Sequence, residues 1–428
     1  MVPDLGPAGS PLAGPFSRLN YLGTALGPIP IIDGREKMAK AKREFDIIVY
    51  GASGFTGRLV AEYLAGRGIK SWAMAGRNDA KLAEVRDLIG APKDTPLVVA
   101  DAGAPESLTA MCNRTRVVLT TVGPYQLYGP ELVAACAATG TDYVDLCGEP
   151  AWMREMIDAH DEAAKASGAR IVFSCGFDSI PFDLGVWYLQ QEAIKRFGKA
   201  APRVKGRVRK MAGGASGGTI ASLTETMKAA AKNPKIIGLL RSSFCLTPGF
   251  EGPPQPSGLV PEYDSATGTW TAPFIMAAIN TKNVHRSNAL LGHAYGTDFV
   301  YDEMTVTTAG EAGKAIAEGI ATALKSANPF GTSKLPKQGE GPSKDERENG
   351  YYDVLFIGEM PDGQSVRAAV TGDKDPGYGS TSKMIAEAAL TLLEHDGPGG
   401  VVTPGGIMAA PLLARLVAHA GLTFEIEG

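Results

Sequence analysis

Three glycines spaced three residues apart occupy the segment GASGFTG at residues 51–57, directly after the strand-like run FDIIVY. A strand, a glycine turn and the start of a helix together form an anion site, because the helix N-terminus offers unpaired N–H groups and a partial positive charge. Glycines also let a pyrophosphate approach the backbone, so the motif predicts a dinucleotide site rather than an ordinary tight turn. The predicted contacts are Gly51, Ser53, Gly54, Phe55, Thr56 and Gly57.

The end of the second predicted strand indicates which dinucleotide binds. Sites that prefer NAD usually carry an acidic residue there, which binds the ribose 2′-hydroxyl and repels a 2′-phosphate. This strand ends in AGRN, with Arg77 standing 26 positions after Gly51 and Asn78 beside it. Arginine can bind a phosphate through two parallel hydrogen bonds, so the pair predicts NADP(H). The alternative is that Arg77 is a solvent-exposed turn residue; Asp79 is expected only to cap the next helix.

Two further strand ends are expected to contact the cofactor. Asp101 ends the third strand, where it could accept a hydrogen bond from the adenine amino group or cap the helix at PESL. Gly123 and Pro124, in TVGPY at the end of the fourth strand, would let the nicotinamide half pass close to the backbone.

Catalytic side chains are expected on the loops that follow the strands, where this fold places its ligands. Hydride transfer needs only a positioned cofactor, but the anion that it generates needs a hydrogen-bond donor and then a proton. None of the 13 tyrosines is followed by lysine four residues later, so the Tyr-x-x-x-Lys donor of short-chain dehydrogenases is absent. The candidates are Tyr125, Tyr128, Cys147, Glu149, Asp178 and Ser179.

Several candidates also have a structural interpretation. Tyr128 could close a loop, Cys147 could be a small core residue, and Asp178 could cap a helix that begins at Pro181. The segment GGASGGT, residues 213–219, could line the substrate side of the site or form a flexible turn.

The elements that must position these residues alternate regularly. Six strand-like runs between residues 45 and 175 are separated by helical segments such as FTGRLVAEYLAG. This alternation predicts an α/β fold, an N-terminal Rossmann domain with a doubly wound parallel sheet over residues 38–175.

The rest of the chain has a different rhythm. Residues 176–375 are richer in strands, with a β-hairpin expected at Pro361-Asp362-Gly363, and they predict an α+β second domain for the substrate. Residues 376–428 are predicted to be a helical segment that returns to the Rossmann domain. Residues 1–37 hold six prolines and six glycines without a helical pattern, and they are predicted to be a disordered extension.

Composition excludes several classes of protein. The 428 residues carry a formal net charge of −4, which does not favour nucleic-acid binding. The cysteines number five, with no C-x-x-C pair, and this pattern predicts a reducing cytoplasm. The histidines are scattered and predict no metal site. No apolar run is long enough to span a bilayer, and contact with a membrane surface is not indicated.

Longer motifs carry a resemblance to a known family. YGASGFTGRLVAEYL, MAGRN, TTVGPYQLYG, YVDLCGE and GFDSIPFDLG together resemble the saccharopine dehydrogenase-like oxidoreductases, and among them the bacterial trans-acting enoyl reductases. The resemblance implies an NADP-binding Rossmann domain with the active cleft between it and an α/β domain. It further implies reduction of an α,β-unsaturated acyl intermediate in lipid or polyketide biosynthesis, with the acyl group on a carrier protein or polyketide synthase.

Two other functions stay open at this point. A saccharopine-type amino-acid dehydrogenase would need cations that converge on carboxylates, and a non-catalytic NADP(H)-sensing protein would need only the nucleotide site. The walls of the site distinguish an enoyl reductase from an amino-acid dehydrogenase, because they would be apolar for an acyl chain and cationic for an amino acid. The available arginines of the second domain are Arg203, Arg207, Arg209, Arg241, Arg286 and Arg367.

The segment RVKGRVRK predicts a basic face on one strand. Its cations alternate with Val204, Gly206 and Val208, so all four would point to one side. This face would be either solvated or a docking surface for an acidic carrier domain. The cations are Arg203, Lys205, Arg207 and Arg209.

Overall fold

The computed structural model describes residues 42–213, 217–325 and 339–428. The extension predicted over residues 1–37 lies outside this range. The strands are β1 (Phe45–Tyr50), β2 (Trp72–Gly76), β3 (Leu97–Val99), β4 (Thr115–Thr120), β5 (Asp142–Val144), β6 (Arg170–Val172), β7 (Arg203–Ala212), β8 (Glu262–Asp264), β9 (Thr269–Pro273), β10 (Val300–Val306), β11 (Tyr351–Glu359), β12 (Ser365–Gly372), β13 (Gly400–Val402) and β14 (Leu422–Glu427).

The helices follow the strands along the chain, and two further segments form π-helical turns. The α-helices are α1 (Phe55–Gly66), α2 (Asp79–Leu88), α3 (Pro105–Cys112), α4 (Tyr125–Tyr128), α5 (Pro130–Thr139), α6 (Pro150–Ser167), α7 (Ile180–Phe197), α8 (Gly217–Lys232), α9 (Pro234–Arg241), α10 (Ala277–Leu290), α11 (Gly310–Leu324), α12 (Lys344–Asn349), α13 (Thr381–Glu394), α14 (Pro404–Ile407) and α15 (Ala409–Arg415). The π-helical turns are Pro376–Ser380 and Leu416–Ala420.

The first sheet is parallel throughout and runs in the order β13-β6-β5-β4-β1-β2-β3. Strand β1, in the interior of this sheet, is buried on both faces, as expected when helices cover both sides of a parallel sheet. Ile47 and Val49 of β1 belong to the apolar core that includes α1 and α13, whereas Ile48 and Tyr50 belong to the core that includes α3 and α5. The predicted doubly wound α/β fold is confirmed, and its switch point lies between β1 and β4.

The second sheet is mixed and runs in the order β14-β12-β11-β7-β10-β9-β8. Only β10 and β7 pair in parallel; the other neighbours are antiparallel. The β-hairpin expected at residues 361–363 joins β11 to β12, and Gly363 supplies the left-handed residue of its turn, with φ of +85°. Helix α7 packs against β11 and β12 of this sheet, and helix α10 packs against β10.

The C-terminal segment, for which a helical return to the first domain is predicted, packs α13 against α1 and β4 and is only partly helical. In addition to α13, it contributes a strand to each sheet: β13 pairs with β6, and β14 pairs with β12. Gly400, with φ of +139°, precedes Val401 and Val402, which are too few to give an alternating strand pattern in the sequence.

The basic face predicted on β7 is also corrected. The four cations do alternate, but carboxylates from other strands of the same sheet neutralise them. Arg207 is fully buried and binds Asp264 of β8 at 2.6 Å and Asp302 of β10 at 2.8 Å. A fully buried arginine that is already paired with two carboxylates is not a docking surface for an acidic partner. The remaining ion pairs are Arg203–Asp302, Lys205–Glu359, Arg209–Asp353 and Arg209–Glu427.

All five cysteines are buried and none forms a disulfide. Within the described ranges, no helix is both long enough and apolar enough to cross a bilayer. The same residues contain no cluster of histidine, cysteine or acidic side chains that could hold a metal ion.

Candidate active site

A cavity of about 1110 Å³ lies at the carboxyl ends of the strands of the first sheet. Its other walls come from residues between 211 and 279 and between 339 and 381. This volume is slightly above the usual range of about 300–1,000 Å³ for small-molecule sites. At one end it is lined by the glycine turn, and at the other by apolar side chains. Eleven of the sequence-predicted residues line it: Gly51, Ser53, Gly54, Phe55, Thr56, Arg77, Asp101, Gly123, Tyr125, Tyr128 and Asp178.

The glycine turn has the geometry of a pyrophosphate cradle. Gly51 has φ of +88°, which other residues rarely adopt. A Cβ atom on Gly57 would lie 2.2 Å from the carbonyl oxygen of Gly51, so this glycine allows α1 to pack directly on the turn without lining the cavity. Gly54 is the N-cap of α1, and no side chain caps the helix there. The first-turn N–H groups therefore face the cavity without a side-chain acceptor and fit the cofactor's diphosphate.

Arg77 and Asp101 line the cavity at the ends of β2 and β3, where the adenosine is predicted to bind, and this part is called the adenosine end below. Arg77 is exposed at the cavity wall after β2, where an NAD site would carry an acid. Asn78 does not line the cavity; its side chain accepts from the backbone N–H of Lys81 at 3.0 Å and caps α2, a role predicted for Asp79. Asp101 accepts from the N–H of Gly103 at 2.8 Å, so it stabilises its own turn and does not cap α3.

Gly123, Pro124 and Tyr125 follow β4 at the part of the cavity where the nicotinamide is predicted to bind, which is called the nicotinamide end below. Gly123 and Tyr125 line the cavity, whereas Pro124, which precedes α4, does not. The hydroxyl of Tyr125 donates to the carbonyl of Thr120 at 3.4 Å and accepts from the N–H of Leu146 at 3.1 Å. Burial raises the pKa of Tyr125 well above its usual value. Tyr125 therefore fastens the loops after β4 and β5 to each other.

Glu149 supports the same loop from behind. Its buried carboxylate accepts from the N–H groups of Tyr125 and Gln126, each at 2.8 Å, and from the hydroxyl of Ser222 at 2.6 Å. With three donors at these distances, it positions α4 and α8 relative to each other and does not line the cavity. Cys147 also lies outside the cavity, and burial raises the pKa of its thiol, so it stays protonated.

Among the acidic candidates, Asp178 has the position and protonation that best suit a proton donor. It lines the cavity, and its Oδ1 atom is inaccessible to solvent and has no hydrogen-bond partner among the described residues. Burial raises the pKa of Asp178 to about 7, so a large fraction carries a proton at neutral pH. The neighbouring Ser179 is buried and accepts from the side-chain amide of Asn283 at 2.8 Å. Helix α7 begins at Ile180 without a side-chain cap, so Asp178 does not have the capping role considered for it.

The apolar end of the cavity was not predicted from the sequence. Its side chains come from α4, α8, α9 and α10, and hydrophobic residues on these helices have the same pattern as ordinary core residues. GGASGGT contributes in part: residues 213, 218 and 219 line the cavity, and 214–216 lie outside the described residues. The principal apolar residues are Leu127, Leu223, Met227, Leu240, Met276 and Ile279.

Tyr378 and Thr381 complete the wall from the C-terminal segment. The ring of Tyr378 packs edge-on against Phe55 with centroids 4.8 Å apart, which connects the π-helical turn to the start of α1. The hydroxyl of Thr381 accepts from the N–H of Phe177 at 2.9 Å and so fixes the loop that carries Asp178. Their motif, DPGYGSTSK, was the available signal in the sequence.

The charge of the walls distinguishes the possible substrates. Arg77 is the only cation among the described residues that line the cavity, and it lies at the adenosine end. None of the six arginines named above as possible carboxylate ligands lines the cavity, and Arg286, for example, donates to the backbone carbonyls of Leu246 and Val401. No described cation is placed to bind the carboxylates of an amino acid.

We expect Arg77→Ala to weaken NADPH binding by roughly 1.5–3 kcal/mol and to leave NADH binding unchanged, because only NADPH carries the 2′-phosphate. Titration of each cofactor against wild type and variant measures this. Lys81→Ala, an exposed cation on the next helix and outside the cavity, is the matched control. Equal affinity of the wild type for the two cofactors would contradict the assignment of Arg77.

Comparison with known proteins places this site in a class. Residues 47–172 match the sequence profile of the saccharopine dehydrogenase NADP binding domain, a range that includes the glycine turn and Arg77. With the parallel sheet and the open helix N-terminus, the match defines an NADP-dependent oxidoreductase whose cofactor is NADP(H).

Full-length relatives define the family. Over 418 residues the chain is 43% identical to a protein of Mycobacterium tuberculosis provisionally named a trans-acting enoyl reductase, and the match covers 91% of this chain and 99% of that one. Over 410 residues it is 39% identical to the trans-acting enoyl reductase of Mycobacterium leprae, covering 89% and 97%. The chain belongs to the family of trans-acting enoyl reductases, which confirms the resemblance inferred from its motifs.

A solved structure also matches the chain. The L-Glu-forming saccharopine dehydrogenase from Saccharomyces cerevisiae aligns with 90% of this chain and 100% of its own, at 13% identity and a TM-score of 0.49.

Proposed function

We propose that the protein reduces the α,β-double bond of an enoyl thioester, an intermediate of lipid or polyketide synthesis, with NADPH as the reductant. The observation that carries the proposal is the single cavity that joins the glycine turn to an apolar wall and whose only described cation is at the adenosine end. The names of the relatives point to the same reaction. The word trans-acting in those names supports a substrate presented by a separate carrier domain.

The residues divide the work as follows. When bound, NADPH supplies the hydride that ends on the β-carbon of the substrate. The double-bond electrons move onto the thioester carbonyl as an enolate, and Asp178 gives its proton to the α-carbon, which leaves a saturated thioester, NADP⁺ and an ionised Asp178. The loop held by Glu149 and Tyr125 fixes the nicotinamide end, and the apolar side chains exclude water from the enolate.

Two alternatives have less support. An amino-acid dehydrogenase of the saccharopine type needs cations for its carboxylates, and the described part of the cavity offers none beyond Arg77. A nucleotide sensor would have no use for a large apolar compartment next to Asp178, whose Oδ1 atom has no hydrogen-bond partner in the described part of the chain.

Single turnover with NADPH deuterated at C4 tests the proposal. We expect mass spectrometry to find the label at the β-carbon of a trans-2-dodecenoyl thioester and, for unlabelled NADPH in D₂O, deuterium at the α-carbon. Label that is transferred only when a 2-oxo acid and an amino acid are present would establish the amino-acid reaction instead. Tight NADPH binding with no label in any acceptor would establish the sensor.

A further inference from the structure

The mouth of the apolar compartment is surrounded by exposed apolar side chains. Four residues line the cavity and are also open to solvent: Leu127 is 53% exposed, Tyr128 44%, Met211 45% and Met227 61%. They come from α4, the end of β7 and α8, so they form a ring around an opening and not one face of a helix. An exposed apolar cluster of this kind on a folded protein usually marks a binding surface.

Beside this ring lies a helical hairpin, residues 217–241, made of α8 and α9. It carries four cations and one carboxylate, Glu225, which is paired with Lys228 at 2.7 Å. Lys232, Lys235 and Arg241 are exposed, and no carboxylate of the described residues lies within ion-pair distance of them. This local excess of positive charge contrasts with the net charge of −4 over the whole chain.

The second helix of the hairpin is only loosely covered by the protein. No residue of α9 is buried, and Ile237 is 40% exposed. The hairpin is nevertheless connected to the site: Gln126 of α4 donates to the hydroxyl of Thr226 at 3.2 Å, and Ser222 donates to Glu149. Whatever binds on the hairpin therefore sits beside the opening through which a substrate reaches the cavity.

We propose that the helical hairpin is the docking surface for an acidic acyl-carrier domain, whose thioester arm enters between the ring residues. The proposal rests on the proposed function, because it assumes a substrate that arrives on a carrier. The cations complement an acidic partner, and an opening lined by apolar side chains suits the acyl chain that the arm carries. A bilayer is less well matched, since it would require one continuous apolar face instead of a ring built from three elements.

Charge reversal on the hairpin tests this docking surface. The triple variant Lys232→Glu, Lys235→Glu and Arg241→Glu changes side chains that do not line the cavity. We expect kcat/KM for trans-2-dodecenoyl groups on an isolated polyketide-synthase carrier domain to fall by about tenfold or more and to lose most of its salt dependence. With trans-2-dodecenoyl-pantetheine as substrate, kcat/KM should stay as in the wild type.

The control reverses two exposed lysines at the opposite end of the first sheet. Lys70 and Lys93 precede β2 and β3, away from the carboxyl-end cleft, and Lys70→Glu with Lys93→Glu should change neither rate. An equal loss with both substrates in the triple variant, or no loss with either, overturns the docking surface.

Binding separates this proposal from the function on which it rests. Fluorescence anisotropy of a labelled carrier domain without an acyl group should show salt-sensitive binding to wild type and to the lysine control, and about tenfold weaker binding to the triple variant. That result supports the docking surface even if no enoyl substrate is turned over. Sedimentation with phosphatidylserine vesicles that depends on the same cations, without carrier binding, would identify a membrane contact and overturn the proposal.

Discussion

Asp178→Asn is expected to lower kcat by about 100- to 10,000-fold, because the amide cannot give up a proton to the enolate. NADPH affinity should stay unchanged, since Asp178 lies on the loop after β6 and the glycine turn is after β1. Steady-state kinetics with an enoyl thioester, alongside NADPH titration, separates the two effects.

The pH dependence of the wild type follows from the same carboxyl group. Burial raises the pKa of Asp178 to about 7, and the protonated form is the donor. The rate of the chemical step should therefore be full at acidic pH and fall as the pH rises through about 7. This limb should be missing in Asp178→Asn.

Tyr128 also lines the cavity and is 44% exposed, so its hydroxyl is a second candidate proton donor, and Tyr128→Phe removes only that hydroxyl. We expect this variant to keep kcat within a few-fold of wild type. If Tyr128→Phe loses the activity and Asp178→Asn retains it, the tyrosine is the donor and the assignment to Asp178 is wrong.

Gly57→Ala should strongly impair both stability and NADPH binding. The added Cβ atom would lie 2.2 Å from the Gly51 carbonyl oxygen and 2.9 Å from Cα of Ala52, and both are backbone atoms that cannot move aside alone. Helix α1 must shift away from the turn, at a cost of about 1–3 kcal/mol of stability. The displaced helix N-terminus then no longer faces the diphosphate.

Gly66→Ala provides the matched control in the same helix. A Cβ atom there would meet nothing within 4 Å, so this variant should bind NADPH normally and gain roughly 0.5–1 kcal/mol of stability. Thermal unfolding and NADPH titration of both variants measure the contrast. Wild-type NADPH affinity in Gly57→Ala would show that the close packing of α1 on the turn is not needed for the site.

The nucleotide half of the site could be predicted from the sequence because its signals are local. Gly51, Gly54 and Gly57 lie within seven consecutive residues, and Arg77 ends the next strand at a characteristic separation in sequence. The same reasoning placed Asn78 in the site, although its side chain is used by the cap of α2. Short polar residues at a strand end can serve either purpose, and the sequence does not distinguish them.

The substrate half depends on contacts between distant parts of the chain. Glu149 could be recognised as a carboxyl group after a strand, but its donor Ser222 is 73 residues away. The alternation on β7 gave the correct face, yet Asp264 and Asp302, which neutralise Arg207, come from strands whose pairing no local pattern specifies. Periodicity indicates which side a residue faces and not what lies opposite.

Because the C-terminal segment adds one strand to each sheet, neither sheet is complete until that segment has been synthesised. Until residues 400–402 emerge from the ribosome, β6 is an open edge with unpaired backbone groups, and β12 stays open until β14 follows. The first sheet, although six of its seven strands are made early, therefore lacks its last strand, β13, until most of the second sheet has been synthesised. Nascent chains that still lack residues 400–427 therefore expose β6 and β12 as edges at which a strand of another chain can pair.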